Sequence, residues 1–242
     1  CLCLGYLVVK KQKPDFRFGG RAFRFAGKTL LLGLSPFGLA FSPNFMLIFV
    51  NFSASAVGGQ FALNCFAPVS YAISVVLLLL QGVSDGCQPL VSREFGSGSA
   101  RGARSVRNLA FAFALVVAAV CMAVMFAVRR DISKVFGASD EVAAEVGNIL
   151  PLFIAGFLFV GFSRIATAYF YATGNTWRAY IVIYGEPLCL LVLLLILPNF
   201  MGITGTWLSV PLSQASLAVV AFLLVFLYDR GQRKMEKNIS TA

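Results

Sequence analysis

The sequence predicts an all-α fold: a polytopic membrane helix bundle of six transmembrane helices. Three observations carry that prediction. Of 242 residues, 59% are hydrophobic and 12% are charged, about half the roughly 25% charged share of soluble domains; mean hydropathy is +0.83. The apolar residues gather into six runs, each close to or above the roughly 20 residues that cross a bilayer core. The basic residues concentrate in alternate connections between those runs. This composition excludes a water-soluble globular domain, which needs far more polar surface. It also excludes disorder, whose signature is low hydrophobicity with high charge.

The runs fall at 30–52, 61–91, 107–128, 143–173, 178–198 and 204–228. Two exceed the length a span needs, so tilt, a kink or an overhang into water is expected there. None shows the alternation of barrel strands. Residues 1–9 read as the end of a preceding transmembrane helix, 10–29 as a basic cytoplasmic or interfacial connection, and 30–228 as the six-helix transmembrane unit. Residues 229–242 read as a cytoplasmic tail. The first residue is Cys and Cys1–Val9 is already apolar, so a fragment of a longer chain is expected. A signal peptide is not, because the basic residues follow the apolar stretch. Phe16, Phe18, Phe23 and Phe25 alternate with basic residues, which suits a segment lying along the interface; a solvated basic loop is the plainer reading.

Net charge is +10, which in a soluble protein would suggest nucleic acid. Here the positive-inside rule accounts for it, and no nucleic-acid partner is expected. The connections on one side carry sixteen basic residues: Lys10, Lys11, Lys13, Arg17, Arg21, Arg24, Lys28, Arg93, Arg101, Arg104, Arg107, Arg178, Arg230, Arg233, Lys234 and Lys237. The opposite side carries Arg129, Arg130 and Lys134. This bias predicts a multi-pass protein of the plasma (inner) membrane with both ends cytoplasmic. The six cysteines (Cys1, Cys3, Cys65, Cys87, Cys121 and Cys189) form no CxxC pair and read as small buried apolar residues.

Asp85, Arg164 and Glu186 lie about 12–15 Å deep at 1.5 Å per residue, near the middle of the membrane. Ionisable residues there face a bundle interior or an aqueous cavity. In the second span Ser70, Ser74, Gln81, Ser84, Asp85, Gln88 and Ser92 fall within about 100° of one another. Such a stripe faces a central cavity or packs against other helices through hydrogen bonds, and the carboxylate favours the cavity. Arg164, Thr167, Tyr171 and Asn175 share a face of the fourth span. Glu186 has apolar neighbours and needs a partner or a proton. Pairing with Arg164 at matched depth and a role in proton coupling are both open. Pro36, Pro43, Pro68, Pro151 and Pro187 interrupt the spans, and Gly156 and Gly161 permit close helix approach.

No enzymatic function is expected. Histidine is absent, which removes imidazole-based triads and His metal sites. No GxSxG, HExxH, strand-linked GxGxxG or P-loop is present. Gly96-Ser97-Gly98-Ser99 reads as a flexible turn between helices. No cofactor or metal site is expected.

Several segments resemble a known family. Gln81-Gly82-Val83-Ser84-Asp85-Gly86-Cys87-Gln88-Pro89-Leu90-Val91-Ser92, followed by Arg93-Glu94-Phe95-Gly96-Ser97-Gly98, resembles the second helix and following loop of the carboxy-terminal lobe of MATE (multidrug and toxic-compound extrusion) transporters, with most likeness to the bacterial drug-exporter branch. Val135-Phe136-Gly137-Ala138-Ser139-Asp140-Glu141-Val142 is similar to the short extracellular loop of that lobe. Ala172-Thr173-Gly174-Asn175-Thr176 is similar to its tight turn between fourth and fifth helices, and Gly202-Ile203-Thr204-Gly205-Thr206-Trp207-Leu208 to the entry of its last helix. The resemblance implies one six-helix lobe of a two-lobe antiporter that exports organic, often cationic, molecules against sodium ions or protons. The partners it implies are the lipid bilayer, a missing amino-terminal lobe and a small organic substrate.

Two departures bear on coupling. The acidic residue that some sodium-coupled members carry in the first helix of this lobe falls on Asn44. Their fourth-helix acid is also absent, with Val160 or Gly161 nearby. The transport and cavity candidates are therefore Gln81, Asp85, Gln88, Arg164, Glu186 and Asn44. A lipid-linked precursor flippase of similar architecture is the alternative, but its polyanionic cargo calls for several basic cavity residues, and Arg164 alone lies within a span. A membrane scaffold without transport activity gains nothing from buried carboxylates.

Overall fold

A single glycine reverses the first third of the chain. The computed structural model describes residues 20–240. A continuous helical stretch, Gly20–Gly96, is broken at Gly59, whose φ of 62° and ψ of −154° are non-helical. A side chain there would be strained, so glycine takes the position. The break yields α1 (20–58) and α2 (60–96). They run antiparallel, because Pro43, Leu47 and Val50 share a cavity wall with Ser74, Ser70 and Phe66. The uncharged connection expected over 53–59 is thus helical until its last residue. Expectations for residues 1–19, including the preceding helix end and most of the basic connection, lie outside the described residues. Helix already begins at Gly20, inside the segment expected as a connection.

The remaining helices are α3 (Ala100–Val128), α4 (Ile132–Val135), α5 (Asp140–Ile154), α6 (Phe157–Ala172), α7 (Thr176–Met201) and α8 (Ile203–Ser240). Ser99 and Ser139 cap α3 and α5 by accepting from the backbone N–H groups of Gly102 and Val142, as short hydroxyl side chains do at helix starts. Gly174 and Gly202, with φ of 73° and 58°, close the turns after α6 and α7.

Six membrane crossings follow from lengths and breaks. Ala100–Val128, Thr176–Met201 and Ile203–Arg233 are each long and apolar enough to cross. Ala40–Gly96 is 57 residues, about 85 Å if straight, roughly twice a whole bilayer; broken at Gly59, it supplies two crossings. Asp140–Ile154 and Phe157–Ala172 form the remaining one, bent by 41°. The over-long run at 143–173 is therefore resolved by a kink, four residues beyond Pro151, while the run at 61–91 continues as one overhanging helix. Leu109, Leu115, Val219 and Phe222 are exposed, which in this setting is surface for lipid.

The core divides into two clusters stacked along the bundle. One surrounds Phe66, Phe153 and Trp207, whose ring centroids lie 5.7–6.1 Å apart. The other gathers Val91, Ile165, Tyr169, Phe170, Ala179 and Tyr228, from the end of the bundle that holds the α2–α3 connection. At that end Arg107 donates to both carboxylate oxygens of Asp229 at 2.8 and 2.9 Å. Arg104 and Arg107, expected among the connection charges, are buried within α3, and Asp229, expected to open the tail, is buried within α8.

Candidate functional site

Helices α2 and α6 run parallel and in register. Ser84 Oγ donates to the Arg164 carbonyl at 3.1 Å and Ser92 Oγ to the Ala172 carbonyl at 3.5 Å, the same 80-residue offset both times. Gly161 lets the helices approach, with Leu80 and Ala114 in van der Waals range of the place a Cβ would take. Fixing α2 on α6 in this way leaves the polar stripe of α2 turned toward open space.

That space is a cavity of about 560 Å³, within the range of small-molecule sites. Its α2 wall holds Ser74, Gln81, Ser84, Asp85 and Gln88; α6 adds Arg164, Ala168 and Tyr171; α1 adds Ala40 and Pro43. Asp85 is exposed in it, and Gln81 Nε2 donates to Asp85 Oδ1 at 2.7 Å. The i, i+4 spacing that puts both residues on one face makes this bond. The cavity thus presents an oriented carboxylate, two amides, a phenol and a guanidinium.

Not every residue of the expected stripe reaches it. Ser70 lies on a second cavity of about 150 Å³, between α1, α2, α5, α6, α7 and α8. Ser92 is spent on the α6 tie. Thr167 is buried and donates to the Ser163 carbonyl at 2.9 Å, while Asn175 precedes α7 without capping it through its side chain. Asn44 lines the second cavity rather than the central one, and its Nδ2 donates to the Ala40 carbonyl at 3.1 Å.

Glu186 also lies away from the central cavity. It lines the second cavity and a small crevice between α1, α6 and α7, and Arg164 lines both of these as well as the central one. Matched depth therefore brings the two residues together, as far as shared walls go. Among the described residues no direct hydrogen bond or ion pair joins them, but Arg164 lies within electrostatic range of Glu186. Around them Gln214 Oε1 and Ser163 Oγ are buried without a hydrogen-bond partner.

The Arg107–Asp229 pair, missing from the sequence reading, is a charge pair fully formed inside the bundle. Tyr169 donates to Asp229 Oδ1 at 3.4 Å, and its ring lies 4.6 Å below the Arg107 guanidinium. One signal was available: Asp229 is an acid at the boundary of an apolar run and a basic tail.

A family model described as MatE matches residues 39–196. The multidrug export protein MepA of Staphylococcus haemolyticus (strain JCSC1435) is 26% identical over 166 residues, covering 66% of this chain and 36% of that protein. MepA of Staphylococcus aureus (strain bovine RF122 / ET3-1) is 23% identical over 224 residues, covering 90% and 47%. Among solved structures, the outward-facing conformation of a multidrug resistance MATE family transporter of the MOP superfamily superposes with a TM-score of 0.82 at 15% identity, over 96% of this chain and 54% of that one. A MOP superfamily transporter from Pyrococcus furiosus gives 0.80 at 15% identity, over 94% and 52%. The chain spans about half the length of these relatives.

Proposed function

This chain belongs to the MatE family, and from that premise we propose that it forms one lobe of an antiporter exporting organic, chiefly cationic, drugs or metabolites in exchange for sodium ions or protons. The observation that carries this reading is the placement of Asp85 on the wall of the central cavity, held there by Gln81. A carboxylate in a low-dielectric cavity attracts an organic cation far more strongly than one in bulk water. The apolar part of the cargo rests on Leu77, Leu78 and Pro43. The names of the relatives, multidrug export proteins, support the same direction of traffic.

A second six-helix lobe facing this cavity would enclose it, and rocking of two lobes about such a site gives alternating access. Both ends of the segment would lie in the cytoplasm of a cell whose inner membrane holds it. Asp85 and Glu186 are the carboxylates placed to exchange a coupling ion, Asp85 with the cargo itself. No cofactor takes part. The test joins this chain to the amino-terminal lobe of a MepA relative and measures ethidium efflux from loaded cells. Asp85→Asn is expected to cut efflux about tenfold or more, the effect of losing one charge-assisted contact. Efflux at the unsubstituted rate would refute the role of Asp85.

A further inference from the structure

Arg164 is common to the walls of the central cavity, the second cavity and the crevice between α1, α6 and α7. Asp85 stands on the central side of it and Glu186 on the other two. The guanidinium lies within electrostatic range of Glu186, while the Asp85 carboxylate is open to the central cavity. The other elements packed against Glu186 bring no further charge among the described residues. They present Ser42 and Asn44 from α1, Ser70 and Ser74 from α2, Phe153 from α5 and Gln214 from α8. Two carboxyl groups therefore share one guanidinium.

An arginine keeps its proton in a protein, so the charge of Arg164 is fixed and the carboxyl groups must adjust to it. With both ionised, the set carries one negative charge in excess, and an unbalanced charge inside a membrane bundle is costly. One more positive charge balances it, and that charge is either a proton or the cargo's own. With Glu186 protonated, Arg164 and Asp85 neutralise each other. With a cation on Asp85, Arg164 neutralises an ionised Glu186 instead. We propose that Glu186 is the proton site of this lobe, and that Arg164 is the positioning residue that makes its proton and the cargo cation at Asp85 mutually exclusive. The exchange is ionic: the O–H bond of the Glu186 carboxyl breaks, its electron pair stays on the carboxylate, and the proton passes to water. Gln214 Oε1 and Ser163 Oγ, buried without a hydrogen-bond partner, line the second cavity and the crevice and give such water its polar anchors. One monovalent cation replaces one proton, without sodium ions. This deepens the antiporter reading and rests on it, because it takes the cargo cation to sit at Asp85.

Proton release on cation binding tests this. Ethidium, a monovalent cation that does not titrate near neutrality, is bound to the full chain in sodium-free lipid nanodiscs. Its affinity is measured by fluorescence between about pH 6 and 8, and the released protons by calorimetry in two buffers of different ionisation enthalpy. Binding that expels a proton is favoured as pH rises, so affinity should increase about tenfold per pH unit, with about one proton released per ethidium. Glu186→Gln should bind ethidium with no release and no pH dependence. Arg164→Gln should also bind it without release, because Glu186 then has no cation to support its ionised form, and Arg164→Lys should restore the release. Retained binding shows that each variant is folded. A pH-independent affinity of the unsubstituted chain would overturn the proposal. So would a pH slope that survives Glu186→Gln, which would place the proton on Asp85 itself, or full release in Arg164→Gln. If ethidium binds without release and Asp85→Asn weakens it, the coupling fails and the cavity reading stands. If ethidium does not bind the unsubstituted chain, the cavity reading fails and the coupling with it.

Discussion

Arg107 shows what a formed ion pair does in this bundle. Its guanidinium meets both oxygens of Asp229 while lying over the Tyr169 ring, and the two side chains are only 5% and 13% exposed. Removing one partner leaves a desolvated charge, so Arg107→Leu should lower stability by about 3–5 kcal/mol. Removing both in Arg107→Leu/Asp229→Leu should restore most of that loss; thermal unfolding in detergent measures the difference. A double variant no more stable than the single one would show that the pair does more than neutralise itself. At this scale the sequence was legible where a polar residue stood within an apolar run. Asp85, Gln81 and Gln88 were found by their angular spacing alone. Asp229 was missed because at the edge of a run a charge reads as tail, and its partner lies 122 residues away, beyond the reach of local periodicity. The facing of Glu186 was likewise hidden: spacing along α7 gives its direction but not which neighbouring helix that direction meets.

Among the elements, two breaks shape the bundle and they differ in kind. Gly59 has open space around its Cα, so a methyl group there clashes with nothing, and the conflict is with a φ of 62° alone. Gly59→Ala should therefore destabilise by about 1 kcal/mol without altering cavity binding, as urea unfolding in mild detergent with a parallel dye titration would record. The α5–α6 break is instead held by packing. A Cβ on Gly156 would run into the Gln214 amide oxygen from α8, so α8 fits the bend closely. The number of crossings and the five prolines within them were legible in the apolar runs, and the expected kink in the fourth run is present. What remained hidden was the position of the break, because Pro151 frees the carbonyl of Gly147 upstream of itself, whereas the break lies at 155–156 and the side chain that fills the bend comes from a distant segment.

For the whole molecule, the charge bias makes a topological statement that chemistry can check. In a background with the native cysteines replaced, Gln60→Cys beside the α1–α2 reversal should react with a membrane-impermeant maleimide added to intact cells. Ser97→Cys in the α2–α3 connection should react only after permeabilisation. The reverse pattern would invert the orientation the basic residues imply. Composition and periodicity were enough to read the membrane class and six crossings, since every span must satisfy its own backbone in hydrocarbon; which helices become neighbours depends on long-range packing and was not written in any one run. The Arg107–Asp229 pair adds a consequence in time. Arg107 emerges from the ribosome 122 residues before Asp229, which at roughly 5–20 residues per second is about 6–24 seconds. Throughout that interval α3 sits at the membrane with its cation unanswered, and α8 is the helix that answers it. Neutralisation of Arg107 thus waits on the making of α8, and a chain cut short before Asp229 would leave biogenesis with a visible defect for quality control to find.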